Sequence, residues 1–269
     1  MRMKNNSRHC FCALVVTGAM LAVTAFAQDT KDGTVDHSTW NEIVDATVSE
    51  EGWVDYQAIK RKWSRKLRAY ISSLGTIDVG KLDSKAEKMA FWINAYNAVT
   101  IQILLDEGLP DEVPHAAFFG KNIFKQEDYR VGGKVRSLDE IEHKILRKRY
   151  DEPRIHAALV CGASSCPRLR PEAYTGEKLD TQLTDEAEIW VRKGRNKKGR
   201  RKNRLDRDKG VYYVSEIFKW FNEDFYGGGK AGVLKFLKKS GDENTRTYLE
   251  KRDVDIKYLD YRWELNSRG

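Results

Sequence analysis

The feature that most constrains the fold is an apolar segment of seventeen residues, MAFWINAYNAVTIQILL at 89–105. Ser84 precedes it and Glu87 follows three residues later, which is the pattern of a helix N-terminus with a capping box. Gly108 and Pro110 lie just beyond its other end, where a helix is expected to stop. Because apolar residues occur almost all round this helix, the segment predicts a buried central helix rather than a surface helix.

Two asparagines interrupt the predicted helix. Asn94 and Asn97 are three residues apart, so they share one stripe of its surface. A buried amide without a hydrogen-bond partner costs about 1–3 kcal/mol, and we therefore expect both side chains to be bonded. They either belong to a polar network that ties the helix to neighbouring loops, or line a site in which an amide orients a catalytic group.

Weaker patterns on either side of the helix predict further helices and a few short strands. Residues 39–74 have the character of two helical segments around a turn, and Gly132-Gly133 separates two strand-like halves, as in a β-hairpin. Residues 155–160 are short, apolar and bounded by turn formers, which predicts a buried strand. The sequence has no internal repeat and no long linker. We expect a single α+β domain, residues 28–269, with the central helix packed against a small, largely antiparallel sheet.

A second helix is predicted in SLDEIEHKILRKRY, where Ser137 and Glu140 form another capping-box pattern. At about 100° per residue, Glu142 falls inside the apolar arc of this helix and His143 lies at its edge. A carboxylate in an apolar face must be paired, hydrogen-bonded or shifted towards its neutral form. Glu142 is therefore either one half of a buried ion pair, for example with an arginine, or an acid/base or orienting group.

The first 27 residues have the organisation of a cleaved secretory signal. A basic start, MRMKNNSRH, leads into an apolar run that ends at Ala25-Phe26-Ala27, the small-residue pattern of a cleavage site. Cys10 and Cys12 would leave with this segment. We expect a mature protein that begins near Gln28, has no membrane span and is exported to the periplasm or outside the cell, where disulfides persist.

The formal net charge of +8 comes from one segment. Residues 192–209 hold eleven Lys or Arg against two Asp, and without this run and the leader the chain has a net charge of −4. Such a run is either a solvated insertion or a contact to an anionic envelope polymer, lipid headgroups or nucleic acid. The absence of aromatic residues from the run argues against nucleic acid. The residues predicted to bind anions are Arg195, Lys197, Lys198, Arg200, Arg201 and Lys202.

The two cysteines outside the leader lie in RIHAALVCGASSCPRL, at positions 161 and 166. Their spacing matches neither the C-x₂-C of a common zinc site nor the C-x-x-C of a thioredoxin-type motif, and we predict no metal and no cofactor. A disulfide with four residues between its cysteines is feasible in a tight turn. It would shape the loop more than it would stabilise the domain.

Cys161 is alternatively a nucleophile at the end of the buried segment. Backbone N–H groups of Gly162, Ser165 and Cys166 would then be available for an oxyanion. An extended segment 155–160 would separate His156 from Cys161 by about 16 Å. The base would then be His143 or His115, or His156 acting on Cys166 if the loop folds back. Glu142 or an asparagine would orient it.

Three motifs carry a resemblance. AFWINAYNA from Ala90, SLDEIEHKILR from Ser137 and RIHAALVCGASSCP from Arg154 resemble bacterial members of the domain-of-unknown-function family numbered 547, over about residues 53–221. The resemblance implies a single α+β domain, often exported in bacteria, without an established activity. The chain is also similar to papain- and transglutaminase-like thiol hydrolases. There the cysteine opens the central helix, whereas this helix carries asparagines.

Two functions follow as hypotheses. The first is thiol-dependent hydrolysis or acyl transfer on an envelope peptide or amide, with Cys161 as nucleophile and a histidine as base. The second is a non-catalytic binding or scaffold module with a Cys161–Cys166 disulfide and a basic loop that touches an anionic partner. Dithiol redox chemistry is the least indicated by the spacing. The candidate catalytic residues are Cys161, His156, Glu142, His143, Asn94 and Asn97.

Overall fold

The computed structural model describes residues 33–115, 122–192 and 203–268. Within these ranges, two segments are π-helical, Ile59–Trp63 and Glu140–Leu146, and three short 3₁₀ turns cover Val79–Lys81, Ile123–Lys125 and Asn222–Asp224. The α-helices are α1 (Ser38–Thr47), α2 (Tyr56–Ala58), α3 (Ser64–Leu74), α4 (Lys85–Asp106), α5 (Arg147–Arg149), α6 (Ile155–Ala158), α7 (Leu179–Arg192), α8 (Ile217–Trp220), α9 (Gly229–Ser240) and α10 (Glu243–Lys251). The strands are β1 (Tyr129–Val131), β2 (Lys134–Arg136), β3 (Arg204–Asp206), β4 (Val211–Ser215) and β5 (Asp255–Leu259).

Helix α4 is the predicted central helix. Every residue from Met89 to Leu104 is buried, as expected for a helix that is apolar all round. Its N-terminus is capped by Ser84, whose hydroxyl oxygen accepts a hydrogen bond from the Glu87 N–H at 2.9 Å. The Glu87 carboxylate accepts bonds from other segments of the chain, so this residue also ties the start of the helix to its surroundings.

The predicted α+β class is confirmed, and the strands form two small sheets. Strands β1 and β2 pair antiparallel around Gly132-Gly133, the predicted hairpin. Both glycines have positive φ, +58° and +80°, which is what a two-residue type I′ turn requires. In the second sheet, β4 pairs antiparallel with β3 and parallel with β5. The parallel pair joins segments that are far apart in the chain.

The prediction of a strand at residues 155–160 is wrong. Residues Ile155–Ala158 form helix α6, which is closed by a hydrogen bond from the Leu159 N–H to the Ile155 carbonyl at 3.0 Å. A short apolar run that is buried on all sides does not distinguish a strand from a helical turn. The expected 16 Å between His156 and Cys161 assumed an extended chain and is therefore no longer supported.

Two hydrophobic clusters form the core. The larger one surrounds α4 and includes residues of α1 and α3. The smaller one contains Trp190 of α7 stacked on Phe218 of α8, with ring centroids 4.5 Å apart. Tyr261 packs against both clusters. In the part of the chain that the structure describes, no helix combines the length and the apolar character needed to cross a membrane.

Residues 260–268 close the fold over the cysteine loop. Leu265 forms an antiparallel bridge with Ala163, and Ser267 forms a parallel bridge with Val54. The Asn266 N–H donates to the Gly162 carbonyl at 2.8 Å. This segment therefore forms one side of the region in which the candidate site lies.

Candidate functional site

A cleft of about 210 Å³ lies where α4, the π-helical segment Glu140–Leu146, α8 and residues 260–268 meet. Its described walls combine aromatic rings with titratable side chains and the two cysteines. The rings belong to Tyr96, Phe124, Trp220, Phe221, Tyr261 and Trp263, and the titratable groups are Asp139, Glu142, His143 and His156.

Cys161 and Cys166 form a disulfide in the wall of this cleft. Their Cα atoms are 6.4 Å apart, within the range that the bond can span. The turn depends on Gly162, whose φ of +86° favours glycine. A Cβ atom there would also lie 2.5 Å from Cδ1 of Leu104. The disulfide alternative of the sequence analysis is thus confirmed, and Cys161 carries no free thiol in this state.

Both sulfur atoms face the hydroxyl group of Tyr261. The hydroxyl oxygen lies 3.2 Å from Cys161 Sγ and 3.1 Å from Cys166 Sγ. The Cys161 N–H donates to Cys166 Sγ over 3.1 Å. Burial raises the pKa of Tyr261, and the nearby carboxylates of Glu142 and Glu216 raise it further. The phenol therefore remains a hydroxyl that can donate to sulfur.

The backbone N–H groups of the cysteine loop are largely engaged. Ser164 and Ser165 donate to the carbonyls of Glu264 and Arg262, at 2.7 and 3.3 Å, and the Cys166 N–H donates to Ala163. An oxyanion role for Ser165 or Cys166 would first require these bonds to open. The loop is thus held by backbone pairing with residues 260–268 as well as by the disulfide.

The two asparagines of α4 tie the helix to neighbouring segments. The Asn94 amide bonds to the backbone of Tyr174 in both directions, at 2.7 and 3.0 Å. The Asn97 amide donates to the Ala158 carbonyl and accepts from the Val160 N–H, at 3.0 and 2.9 Å. This is the polar network of the first alternative. Asn97 fixes the segment immediately before Cys161.

Among the described residues, Glu142 is hydrogen-bonded and has no arginine partner. Its Oε2 accepts from the Tyr96 hydroxyl at 2.9 Å. Burial raises the pKa of Tyr96 well above its ordinary value, and the adjacent Glu142 carboxylate adds to this. The Tyr96 hydroxyl therefore keeps its proton and donates it in a hydrogen bond to Glu142, which is held at the edge of the cleft by this neutral partner.

His156 has a partner that the sequence analysis did not find. Its Nε2 lies 2.7 Å from Oδ2 of Asp224, and the same oxygen accepts from Arg147 Nε at 2.5 Å. Burial alone would raise the pKa of Asp224, but the bonds from His156 and Arg147 outweigh it and lower the value to about 2. The imidazole stacks on Phe221 with a centroid distance of 4.7 Å. Asp224 is 68 residues away in sequence, and no local pattern signals the pair.

The other two histidines named as candidate bases have different surroundings. Nδ1 of His143 is 3.0 Å from Nη1 of Arg147, and because a guanidinium can only donate, this nitrogen accepts. Nε2 of His143 faces Asp139 at 3.6 Å. His115 stacks on Trp263 with a centroid distance of 3.8 Å. His143 and His156 line the cleft, and His115 is not among its lining residues.

The electrostatic character of the cleft is acidic. Its described lining includes the carboxylates of Asp139 and Glu142 but no lysine or arginine. The nearby Arg147 is engaged by Asp224 and Glu223 and lies over the ring of Phe221. Among the described residues, no group of three or more His, Cys, Asp or Glu is placed to hold a metal ion.

The predicted anion-binding residues lie outside the described ranges, as does the predicted signal segment. The positions in question are Arg195, Lys197, Lys198, Arg200, Arg201 and Lys202.

Residues 80–191 match the model of the family described as "Protein of unknown function, DUF547". The match contains α4, the π-helical segment Glu140–Leu146 and the disulfide loop, and it supports the resemblance noted from the three motifs. No curated protein and no solved structure matches the chain.

Proposed function

We propose that the protein is a binding module whose cleft takes up an organic cation, such as the amine or guanidinium group of a peptide. One observation carries this proposal. The described lining places six aromatic rings beside Asp139 and Glu142, with no lysine or arginine among them. Aromatic faces and carboxylates both attract cations, and the attraction strengthens as water is excluded.

The aromatic wall has the form of a binding platform. Trp220 is 41% exposed, and its ring lies 4.7 Å from that of Tyr261 and 6.1 Å from that of Trp263. Tyr261 and Trp263 are partly buried, and an exposed ring grouped with such neighbours in a concave surface is typical of ligand sites. The rings are held by each other and by the segment 260–268, so little ordering is required when a ligand binds.

The two carboxylates supply the charge that selects a cation. Glu142 already accepts from the uncharged Tyr96 hydroxyl, which orients the group without neutralising it. Asp139 faces the half-exposed His143 at 3.6 Å. A bound ammonium group would therefore meet negative charge that no described lysine or arginine of the lining cancels.

The test compares tetramethylammonium with tert-butanol, which has a similar shape and no charge. Binding is followed by NMR shifts of the tryptophan indole signals, assigned with a Trp220→Phe variant. We expect tetramethylammonium to shift these signals and tert-butanol to leave them unchanged. Glu142→Gln should weaken the binding by roughly 2- to 30-fold, because it removes one negative charge from a partly exposed site.

Glu42→Gln is the matched control, because Glu42 lies on α1 and pairs with the exposed Lys66. It should leave the affinity unchanged. Equal responses to the two probes, or equal affinities of the Glu142 and Glu42 variants, would overturn the proposal. A lysine-containing peptide and its acetylated form then extend the comparison to a peptide ligand.

Thiol-dependent hydrolysis or acyl transfer is the second candidate. It is favoured by the fact that Cys161 and the Asp224-bonded His156 line the same cleft, which supplies a base and its orienting carboxylate. Cys161 has a free thiol to act as nucleophile only when the disulfide is reduced. Reduced protein should react with iodoacetamide at Cys161 much faster than a model thiol does, and equal, slow labelling of both cysteines would exclude this candidate.

We also propose that residues 1–27 direct export and that the protein is a bacterial, exported member of the matched family. The Cys161–Cys166 disulfide supports this, because such bonds persist in oxidising compartments. N-terminal sequencing of protein recovered from the periplasm or medium should begin near Gln28. Recovery of uncleaved protein from the cytoplasm would contradict it.

A further inference from the structure

We propose that the Cys161–Cys166 disulfide is a centre for thiol–disulfide exchange, in which an entering thiol bonds to Cys161 and Cys166 is the leaving group. This activity goes beyond the proposed cation binding. It uses the same cleft but does not depend on a bound cation.

The two sulfur atoms differ in their access to the cleft. Both cysteines line it, but Cys166 is 2% exposed, whereas Cys161 is partly exposed. Exchange requires a thiolate to reach one sulfur of the bond. The difference in exposure directs the attack to Cys161.

The surroundings of Cys166 suit a leaving thiolate. Its Sγ accepts from the Cys161 N–H at 3.1 Å and lies 3.1 Å from the Tyr261 hydroxyl. A thiolate can only accept hydrogen bonds, so the hydroxyl would donate to it once the bond opens. Donors to a thiolate stabilise the charged form, and a more stable thiolate leaves faster.

The loop has supports that do not depend on the disulfide. Ser164 and Ser165 bond to the backbone of residues 260–268, and the Asn97 amide holds Val160. A disulfide with four residues between its cysteines restrains the unfolded chain only modestly. Opening the bond should therefore leave the loop and the cleft in place, which is a requirement for a reversible reaction.

The chemistry balances with two equivalents of thiol. The first thiolate attacks Cys161 Sγ, the sulfur–sulfur bond breaks, and its electron pair passes to Cys166 Sγ. A second thiolate attacks the mixed disulfide on the sulfur of the entering thiol, which releases Cys161 as a thiolate. The net result is two protein thiols and one disulfide of the entering thiol, so the two external thiols are oxidised. The reverse sequence reduces an external disulfide to two thiols and restores the Cys161–Cys166 bond.

The experiment uses the full oxidised chain and glutathione under native conditions, with quenching by acid and N-ethylmaleimide before peptide mass mapping. We expect glutathione on Cys161 and maleimide on Cys166. Tyr261→Phe should slow the exchange by roughly tenfold, because it removes one of two donors to the leaving thiolate. Tyr258→Phe is the matched control, since Tyr258 is 41% exposed on β5 and does not line the cleft.

A second measurement does not depend on Tyr261. In Cys166→Ser the remaining Cys161 should react readily with an aromatic disulfide reagent, and in Cys161→Ser the buried Cys166 should react slowly. Three results would overturn the proposal. They are opening of the disulfide by glutathione only when denaturant is present, glutathione attached to Cys166, and equal exchange rates for the two tyrosine variants. None of them involves tetramethylammonium, so failure here is distinguishable from failure of cation binding.

Discussion

The two walls of the cleft come from different parts of the chain and supply different chemistry. The wall within residues 80–191 contributes Asp139, Glu142, both lining histidines and the disulfide, whereas the wall within residues 217–263 contributes four aromatic rings. The family match covers the first wall and stops before the second. Polar chemistry thus belongs to the matched segment, and the apolar surface that a ligand would meet belongs largely to the segment beyond it.

Breaking the bond between the walls is expected to have one of the two largest effects on stability. Asp224 lies beyond the matched segment but binds His156 and Arg147 within it. Asp224→Ala would leave the buried His156 imidazole and the poorly exposed Arg147 guanidinium without their shared acceptor. We expect a loss of about 3 kcal/mol in the free energy of unfolding. Urea denaturation measures it.

Glu223→Ala provides the control for that loss. Glu223 also pairs with Arg147, but its side chain is 71% exposed, and such pairs contribute about 0–1 kcal/mol. Similar losses for the two variants would mean that Asp224 does not link the walls in the way described.

The shape of the first wall depends on Gly162. Gly162→Ala combines a positive φ with a Cβ atom only 2.5 Å from Leu104, and we expect a cost of about 2–4 kcal/mol. Gly210→Ala shares a positive φ of +62° but has open space around the new atom. We expect Gly210→Ala to cost only about 1 kcal/mol, which is the cost of the positive φ without crowding. If thermal unfolding ranks the two variants equally, crowding at Leu104 is not what requires glycine.

Acid should weaken the link between the walls. The pKa of Asp224 is lowered from its ordinary 3.8 to about 2, so the stability it contributes is present above about pH 4 and is lost as the pH falls towards 2. We expect this contribution to be about 1 kcal/mol after solvent screening. The wild-type protein should lose more stability than Asp224→Asn between pH 5 and 3, and parallel curves would contradict the assignment.

The basic segment joins the two walls along the chain and should affect neither. Asn203 lies within this segment, is buried, and its side chain bonds to Trp190 and Ser215, so substitution is a cleaner test than deletion. We expect a stability change within about 0.5 kcal/mol and a marked loss of salt-sensitive retention on heparin when glutamine replaces Arg195, Lys197, Lys198, Arg200, Arg201 and Lys202.

The control for this set is a glutamine triple variant at Lys235, Lys238 and Lys239 of α9, which should retain more of the heparin binding. Retention that is unaffected by the six substitutions would exclude the segment as an anion contact.

The parts of the fold that local patterns specify were predicted correctly. Ser84 caps α4, Gly132-Gly133 turns the hairpin, and Ser137 accepts from the Glu140 N–H. Each depends on residues within a few positions of one another. Helix α6 was misassigned, because burial on all sides removes the periodicity that distinguishes a helix from a strand.

Some of the residues that line the cleft could be named from the sequence, but the contacts between them could not. The cysteine pair, Glu142 and His143 were identified from their own segments, and all of them line the cleft. The bond between His156 and Asp224 and the contact of Tyr261 with both sulfurs join positions 68 to 100 residues apart. A single sequence contains no local signal for such pairs, which tertiary packing determines.

The pairing of residues 260–268 with the cysteine loop sets the order in which the cleft can assemble during synthesis. Ser164 and its partner Glu264 are 100 residues apart. At about 5–20 residues per second, the ribosome needs roughly 5–20 s to add that length. During this interval the two cysteines have neither the covering segment nor the Tyr261 hydroxyl, so the cysteine loop can complete its backbone pairing only after residues 260–268 have been made.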